Sequence, residues 1–150
     1  MPSFQEMFEK TKGKPIVYEG KTLAMVDFFP VEGEKKLVLV FETCNGEWRQ
    51  GAALNCEGKF IVNGQRLSGR SGVVFWQDTA PKTVEFEISG KVLTIQVKNV
   101  WDVGDGVTHS WHNGAAMIVE ELSNGRRYRC NDGFADEDFD DIVFRLERIG

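Results

Sequence analysis

From Ile16 onward run after run places apolar residues at every second position, a spacing that gathers them on one side of an extended chain and that suits no helix. The clearest run is Thr83-Val84-Glu85-Phe86-Glu87-Ile88, in which Val84, Phe86 and Ile88 form a buried face. Lys91 to Trp101 repeats the pattern, with Leu93, Ile95 and Val97 inward and Thr94, Gln96 and Lys98 facing water. Leu37-Val38-Leu39-Val40-Phe41 is apolar on both faces, which predicts a central strand. The last strand is expected from Ile142 to Ile149, with Ile142, Phe144 and Leu146 inward. Asn45-Gly46, Asn63-Gly64 and Asn124-Gly125 predict hairpin turns, because both residue types tolerate positive φ, and Ser89-Gly90 marks a further turn. The pattern predicts an all-β chain, an antiparallel β-sandwich or jelly roll of about ten strands. Sandwiches and barrels share this alternation, so both stay open at this level.

The first residues follow another rule. Ser3 and Glu6 have capping-box spacing, and Phe4, Met7 and Phe8 fall on one helical face, so a short helix is expected within 1–13. Gly13-Lys14-Pro15 ends it, and its expected place is over one open end of the sandwich. No repeat, low-complexity tract or linker interrupts the 150 residues, so 1–150 is read as a single domain. Pro30-Val31-Glu32-Gly33 and Asp102-Val103-Gly104-Asp105-Gly106 are read as long turns.

A net charge of -5 opposes a sequence-independent grip on nucleic acid and opposes an anionic membrane as partner. Cys44, Cys56 and Cys130 have no CxxC spacing and suit buried thiols in a reducing compartment. Met-Pro-Ser-Phe-Gln-Glu carries no signal-peptide pattern, and no apolar run is long enough to span a bilayer, so the expected location is the cytoplasm, or outside the cell by export without a recognisable signal peptide.

Chemistry concentrates in two stretches. Asn131-Asp132-Gly133-Phe134-Ala135-Asp136-Glu137-Asp138-Phe139-Asp140-Asp141 crowds five aspartates and a glutamate into a loop feeding the last strand. Like charges this close need solvation or a compensating cation. The residues alone therefore suit either a solvated acidic loop or a site for calcium, which takes carboxylate and carbonyl oxygens. Asp136, Asp138 and Asp140 alternate, Asp141 adjoins the strand, and Phe139 is placed to anchor the loop to the core. The second stretch, Thr108-His109-Ser110-Trp111-His112-Asn113-Gly114, holds both histidines. The spacing of His109 and His112 does not bring two rings to one face of a loop or strand, so a hydrogen-bonded rim is the simpler reading of it. Trp111 or Trp76 can offer a flat surface to a sugar ring, with His109, His112 or Asp132 gripping hydroxyls, or can be buried.

Asp136-Glu137-Asp138-Phe139-Asp140-Asp141-Ile142-Val143 resembles the Asp-x-Asp-aromatic-(Asn/Asp)-Asp-apolar-Val motif near the C-terminus of microbial calcium-dependent fucose- and mannose-binding lectins. Related acidic motifs end other calcium-associated β-sandwich domains. The likeness extends to Asn131-Asp132-Gly133 and to the closing Ile149-Gly150 and spans 131–150. The family's early Asn-Ser-Ser-Gly loop has no counterpart; Phe29-Pro30-Val31-Glu32-Gly33 lies at its expected place. The resemblance implies calcium ligands at Asn131, Asp136, Asp138, Asp140 and Asp141. It also implies a sugar bridged by the metal, and a homodimer in which Gly150 reaches the partner's site.

Arg126-Arg127-Tyr128-Arg129 is expected to pair with Glu120 and Glu121 across a hairpin or with the acidic loop; holding an anion is the alternative. Gly-x-Ser-x-Gly elbows and phosphate-binding glycine loops do not occur. The leading expectation is a non-catalytic, calcium-dependent carbohydrate-binding module. Its rivals are a metal-free protein-interaction or accessory sandwich, and a small jelly-roll hydrolase or lyase using His109 and His112.

Overall fold

The structure is a computed structural model that describes residues 4–18, 20–31, 33, 36–45, 48–104, 106, 108, 110, 115–132 and 139–149. One helix, α1 (Phe4–Lys10), precedes the strands. These are β1 (Ile16–Tyr18), β2 (Lys21–Ala24), β3 (Asp27–Pro30), β4 (Lys36–Cys44), β5 (Arg49–Cys56), β6 (Lys59–Val62), β7 (Gln65–Ser68), β8 (Val73–Trp76), β9 (Thr83–Ser89), β10 (Thr94–Asp102), β11 (Ala116–Glu121), β12 (Gly125–Asn131) and β13 (Ile142–Ile149). They form a nine-stranded sheet in the order β1-β2-β11-β12-β13-β4-β9-β6-β7 and a four-stranded sheet in the order β3-β10-β5-β8, antiparallel at every junction. No described helix is long and apolar enough to cross a membrane.

The period-two pattern places the core where it was expected. Leu37, Leu39 and Phe41 of β4, Val84, Phe86 and Ile88 of β9, and Ile142, Phe144 and Leu146 of β13 face Leu54, Ile95 and Val97 of the smaller sheet in one apolar cluster. The chain is thus a two-layer sandwich. Leu93 departs from the pattern: it is 72% exposed. β10 begins one residue later, where Thr94 pairs with Pro30, and the Leu93 carbonyl instead accepts a hydrogen bond from the Val31 amide at 2.9 Å.

The Asn-Gly signals divide. Asn63 (φ +51°) and Gly64 (φ +78°) make the tight β6–β7 hairpin, as expected. Asn45-Gly46 does not make a hairpin, because β4 and β5 belong to different sheets and the connection between them is an arch. Ser89-Gly90 likewise carries the chain from one sheet to the other. Asn124-Gly125 does close the β11–β12 hairpin, but Gly125 is already the first residue of β12.

Polar ties join the layers. Asp27 of β3 accepts hydrogen bonds from Arg126 Nη1 (2.8 Å) and from the buried Tyr128 hydroxyl (2.7 Å), both on β12 in the opposite sheet. Burial, then the charge and hydrogen bond of Asp27, push the Tyr128 hydroxyl well above its ordinary 10.0. The unfolded tyrosine ionises near pH 10 while the folded one stays protonated. Its contribution to stability is therefore complete below pH 10 and is lost as pH rises beyond it. Tyr128→Phe should cost about 1.5 kcal/mol at neutral pH and flatten the alkaline decline in stability; urea unfolding at pH 7 and at pH 10.5 checks both.

Two of the expected arginine pairs form across the β11–β12 hairpin, Arg126 with Glu121 and Arg129 with Glu120 (2.6 Å each). Arg127 turns elsewhere. The register shift between Val143 and Phe144 leaves Glu42 as an extra residue in β4, and its carboxylate accepts from both Arg127 (2.9 Å) and Arg145 (3.0 Å). Burial pushes the Glu42 carboxyl up, but the hydrogen bonds and charges of the two guanidiniums together outweigh it and hold it below its ordinary value. Arg127 and Arg145 stand directly opposite one another, so this carboxylate also relieves their repulsion.

Candidate functional site

Strand register brings the irregular segments to one end of the sandwich. Asp102 at the end of β10 pairs with Arg49 at the start of β5. Asn131 at the end of β12 pairs with Ala116 at the start of β11. Ile142 at the start of β13 pairs with both Cys130 and Cys44. The described ends of the 45–48, 103–115 and 132–141 connections therefore share this end. α1 lies beside it: Phe4 and Phe8 pack with Leu23, Ala116 and Phe139. Phe139 is the expected anchor, 6% exposed, with its ring 6.0 Å from that of Phe4.

Beneath the loops lies a polar knot. Gln50, Asn99, Asn131, Asp132 and Asp141 are the buried polar and charged residues among those described. Gln50 and Asn99 come from the smaller sheet and the other three from the 131–141 region of the larger one. Gln50 Nε2 donates to Asp132 Oδ2 (2.6 Å), and Asn99 Nδ2 donates to the Asn131 carbonyl (2.8 Å). Within the loop, Asn131 Oδ1 accepts from the Phe139 amide (2.6 Å), and Asp141 Oδ2 accepts from the Asp132 amide (2.9 Å). The Asp141 amide donates to the Cys130 carbonyl (3.1 Å), and the Asn45 amide donates to the Asp141 carbonyl (3.0 Å). The loop is thus pinned shut at its base, and Phe139 is held at φ +55°, a left-handed conformation that a phenylalanine rarely adopts. Two atoms of the knot have no hydrogen-bond partner among the described residues, Gln50 Oε1 and Asn131 Nδ2.

Cys130, fully buried beside this knot, has its thiol pushed up by burial and further by the Asp141 charge. All three cysteines are free thiols. Cys44 and Cys130 flank Ile142 on successive strands, a separation of about 10 Å that excludes a disulfide.

The expected ligand residues fall into two groups. Asn131, Asp132 and Asp141 are buried in the knot, and Asp140 is half-buried beside it. Asp136, Asp138, His109, Trp111, His112 and Gly150 lie outside the described residues. Among the described residues no cluster of three or more His, Cys, Asp or Glu side chains is placed to hold a metal ion.

Sequence reasoning missed Gln50 and Asn99, although each sits in phase with a buried face, Gln50 with Ala52 and Leu54, and Asn99 with Ile95 and Val97. It also missed Trp48, whose ring stacks on that of buried Trp101 with centroids 6.4 Å apart and planes 18° from parallel. Described residues line two openings near this end. One, about 240 Å³, is lined by Trp48, Arg49, Asp102, Val103 and Gly104. The other, about 460 Å³, lies along α1 between Phe8, Lys12, Met25 and Ser110.

No protein-family model matches the chain, and no curated protein or solved structure matches it.

Proposed function

We propose that the protein is a non-catalytic binding module that takes a carbohydrate at the loop-bearing end of its sandwich, with calcium organising the acidic loop. The observation that carries this reading is the polar knot, which fixes both feet of the 132–141 loop and ties them to the opposite sheet through Gln50 and Asn99. Fixing the two ends of a loop lowers the entropy that its ordering around an ion costs, and preorganisation of this kind strengthens binding.

The donor chemistry fits calcium. Calcium takes roughly six to eight hard oxygen ligands, and the 131–141 region supplies carboxylates and carboxamides. Gln50 Oε1 is a buried carbonyl oxygen without a hydrogen-bond partner among the described residues, beside Asp132. Asn131, Asp136, Asp138, Asp140 and Asp141 are the residues that would hold the ion. Asn131 Oδ1 and Asp141 Oδ2 also brace the loop, so each would serve the metal through a remaining lone pair or its second oxygen. The bound ion would neutralise the loop and accept sugar hydroxyls as ligands.

A glycan array probed in calcium and again in chelator tests this. Binding in calcium that is abolished by chelator is expected. Binding that survives chelator contradicts the metal's role. The absence of any glycan signal contradicts the carbohydrate reading and favours a protein partner.

A further inference from the structure

We infer that the cleft between Trp48, Arg49 and Asp102 is a seat for a single uncharged sugar ring. The inference deepens the carbohydrate reading above and rests on it, but it uses residues outside the acidic loop.

The register of β5 and β10 sets Arg49 beside Asp102, and the next pair inward is Gln50 beside Trp101. The cleft therefore adjoins the polar knot. Its three functional side chains are already held. Trp48, half-exposed, lies nearly parallel to the buried Trp101, which backs it. Asp102 Oδ1 accepts from the Gly104 and Gly106 amides at 2.7 and 3.2 Å, which orients the carboxylate and leaves Oδ2 outside those bonds. Arg49 Nε donates to both oxygens of Asp78 at 2.9 and 3.1 Å, Nη2 contacts Thr79 Oγ1 at 3.5 Å, and the guanidinium stacks 4.4 Å over Trp76. Nη1 takes part in none of these hydrogen bonds.

The combination selects its ligand. A carboxylate in the wall repels anions such as phosphate, and a guanidinium in the same wall repels cations. An aliphatic ligand would strip water from both charges without replacing it. A pyranose satisfies all three groups. Its C–H face lies against an indole ring, its hydroxyls donate to Asp102 Oδ2, and its oxygens accept from Arg49 Nη1. The opening of about 240 Å³ is smaller than the roughly 300–1,000 Å³ of sites for drug-sized ligands, and so admits one ring rather than an oligosaccharide.

Saturation-transfer NMR on the full chain in calcium tests the seat, with the methyl glycosides of mannose, fucose and galactose, and with N-acetylglucosamine, as millimolar probes. At least one probe should receive saturation at its ring protons, and Trp48→Ala and Asp102→Asn should each weaken that probe at least tenfold. The indole N–H cross-peak of Trp48 in the wild-type protein should move on titration with the same probe, a reading that holds even where Trp48→Ala fails to fold. A probe that binds the wild type and both variants equally, with the Trp48 cross-peak unmoved, overturns the cleft and leaves the carbohydrate reading standing. Failure of every probe to bind the wild type overturns both.

Discussion

Gly125→Ala is expected to destabilise the protein by about 3 kcal/mol or more, a fall in melting temperature of about 10 °C for a domain of this size. A Cβ built at Gly125 lies 2.0 Å from the Leu146 carbonyl oxygen, 2.8 Å from Glu147 Cα and 2.9 Å from the Leu146 carbonyl carbon. All three atoms are backbone of β13, so no side chain can swing aside. Retreat of β13 is opposed by the Arg148 amide, which donates to the Asn124 carbonyl, and displacement of Gly125 by the Leu122 amide, which donates to the Gly125 carbonyl, both at 2.8 Å. Relief requires unzipping β12 from β13, the pair that carries Tyr128 and Phe144 into the core. Gly64→Ala is the control. A Cβ there meets nothing within 4 Å, and only the positive φ opposes it, at about 1 kcal/mol. Equal urea midpoints for Gly125→Ala and the wild type would show that the two strands do not approach this closely.

Asn131→Ala is expected to cost about 3 kcal/mol and to loosen the acidic loop. The substitution leaves the buried Phe139 amide without its acceptor, which costs about 1–3 kcal/mol, and removes a fully buried side chain from a packed site. It also frees Phe139 from the bond that holds its left-handed backbone, so its ring should leave the cluster formed with Phe4, Phe8, Leu23 and Ala116. Hydrogen exchange at the Phe139 amide reads this directly, with protection lost in the variant. Asn99→Ala, which removes only the 2.8 Å bond to the Asn131 carbonyl, should cost nearer 1 kcal/mol and leave Phe139 protected. Retained protection in Asn131→Ala would mean that the loop is held by something other than the knot.

The strands that carry the core were legible because burial imposes a period of two, and Val84, Phe86, Ile88, Ile142, Phe144 and Leu146 obey it. Pairing beyond the Asn63-Gly64 and Asn124-Gly125 hairpins was not legible. Asn45-Gly46 has hairpin composition, but local turn preference does not decide whether the next strand joins the same sheet, and the arch to β5 follows from packing across the core. At Gly125 the turn was read correctly for an incomplete reason. The residue is needed less for a left-handed backbone than for the absence of a Cβ against β13, a contact between residues far apart in sequence. Phe139 as an anchor was visible as an aromatic flanked on both sides by aspartates. The partnership of Asp132 with Gln50, of Tyr128 and Arg126 with Asp27, and of Glu42 with two arginines depends on register between distant strands. Gln50 and Asn99 did leave a trace, since a polar residue in phase with a buried face must find a hydrogen-bond partner inside. Trp48 and Asp102 left none, because the two segments of the cleft meet only through the β5–β10 pairing.

The central claim is that calcium binds the folded acidic loop, and thermal unfolding of chelator-stripped protein with and without millimolar calcium, using magnesium as control, tests it most directly. An ion that binds only the native state stabilises it by mass action, about 2.7 kcal/mol at a hundred times its dissociation constant. The account predicts a calcium-specific rise of about 5–10 °C that disappears in Asp138→Ala. An unchanged melting temperature in calcium would contradict it, leaving the loop as solvated charge and the sandwich as a module for a protein partner.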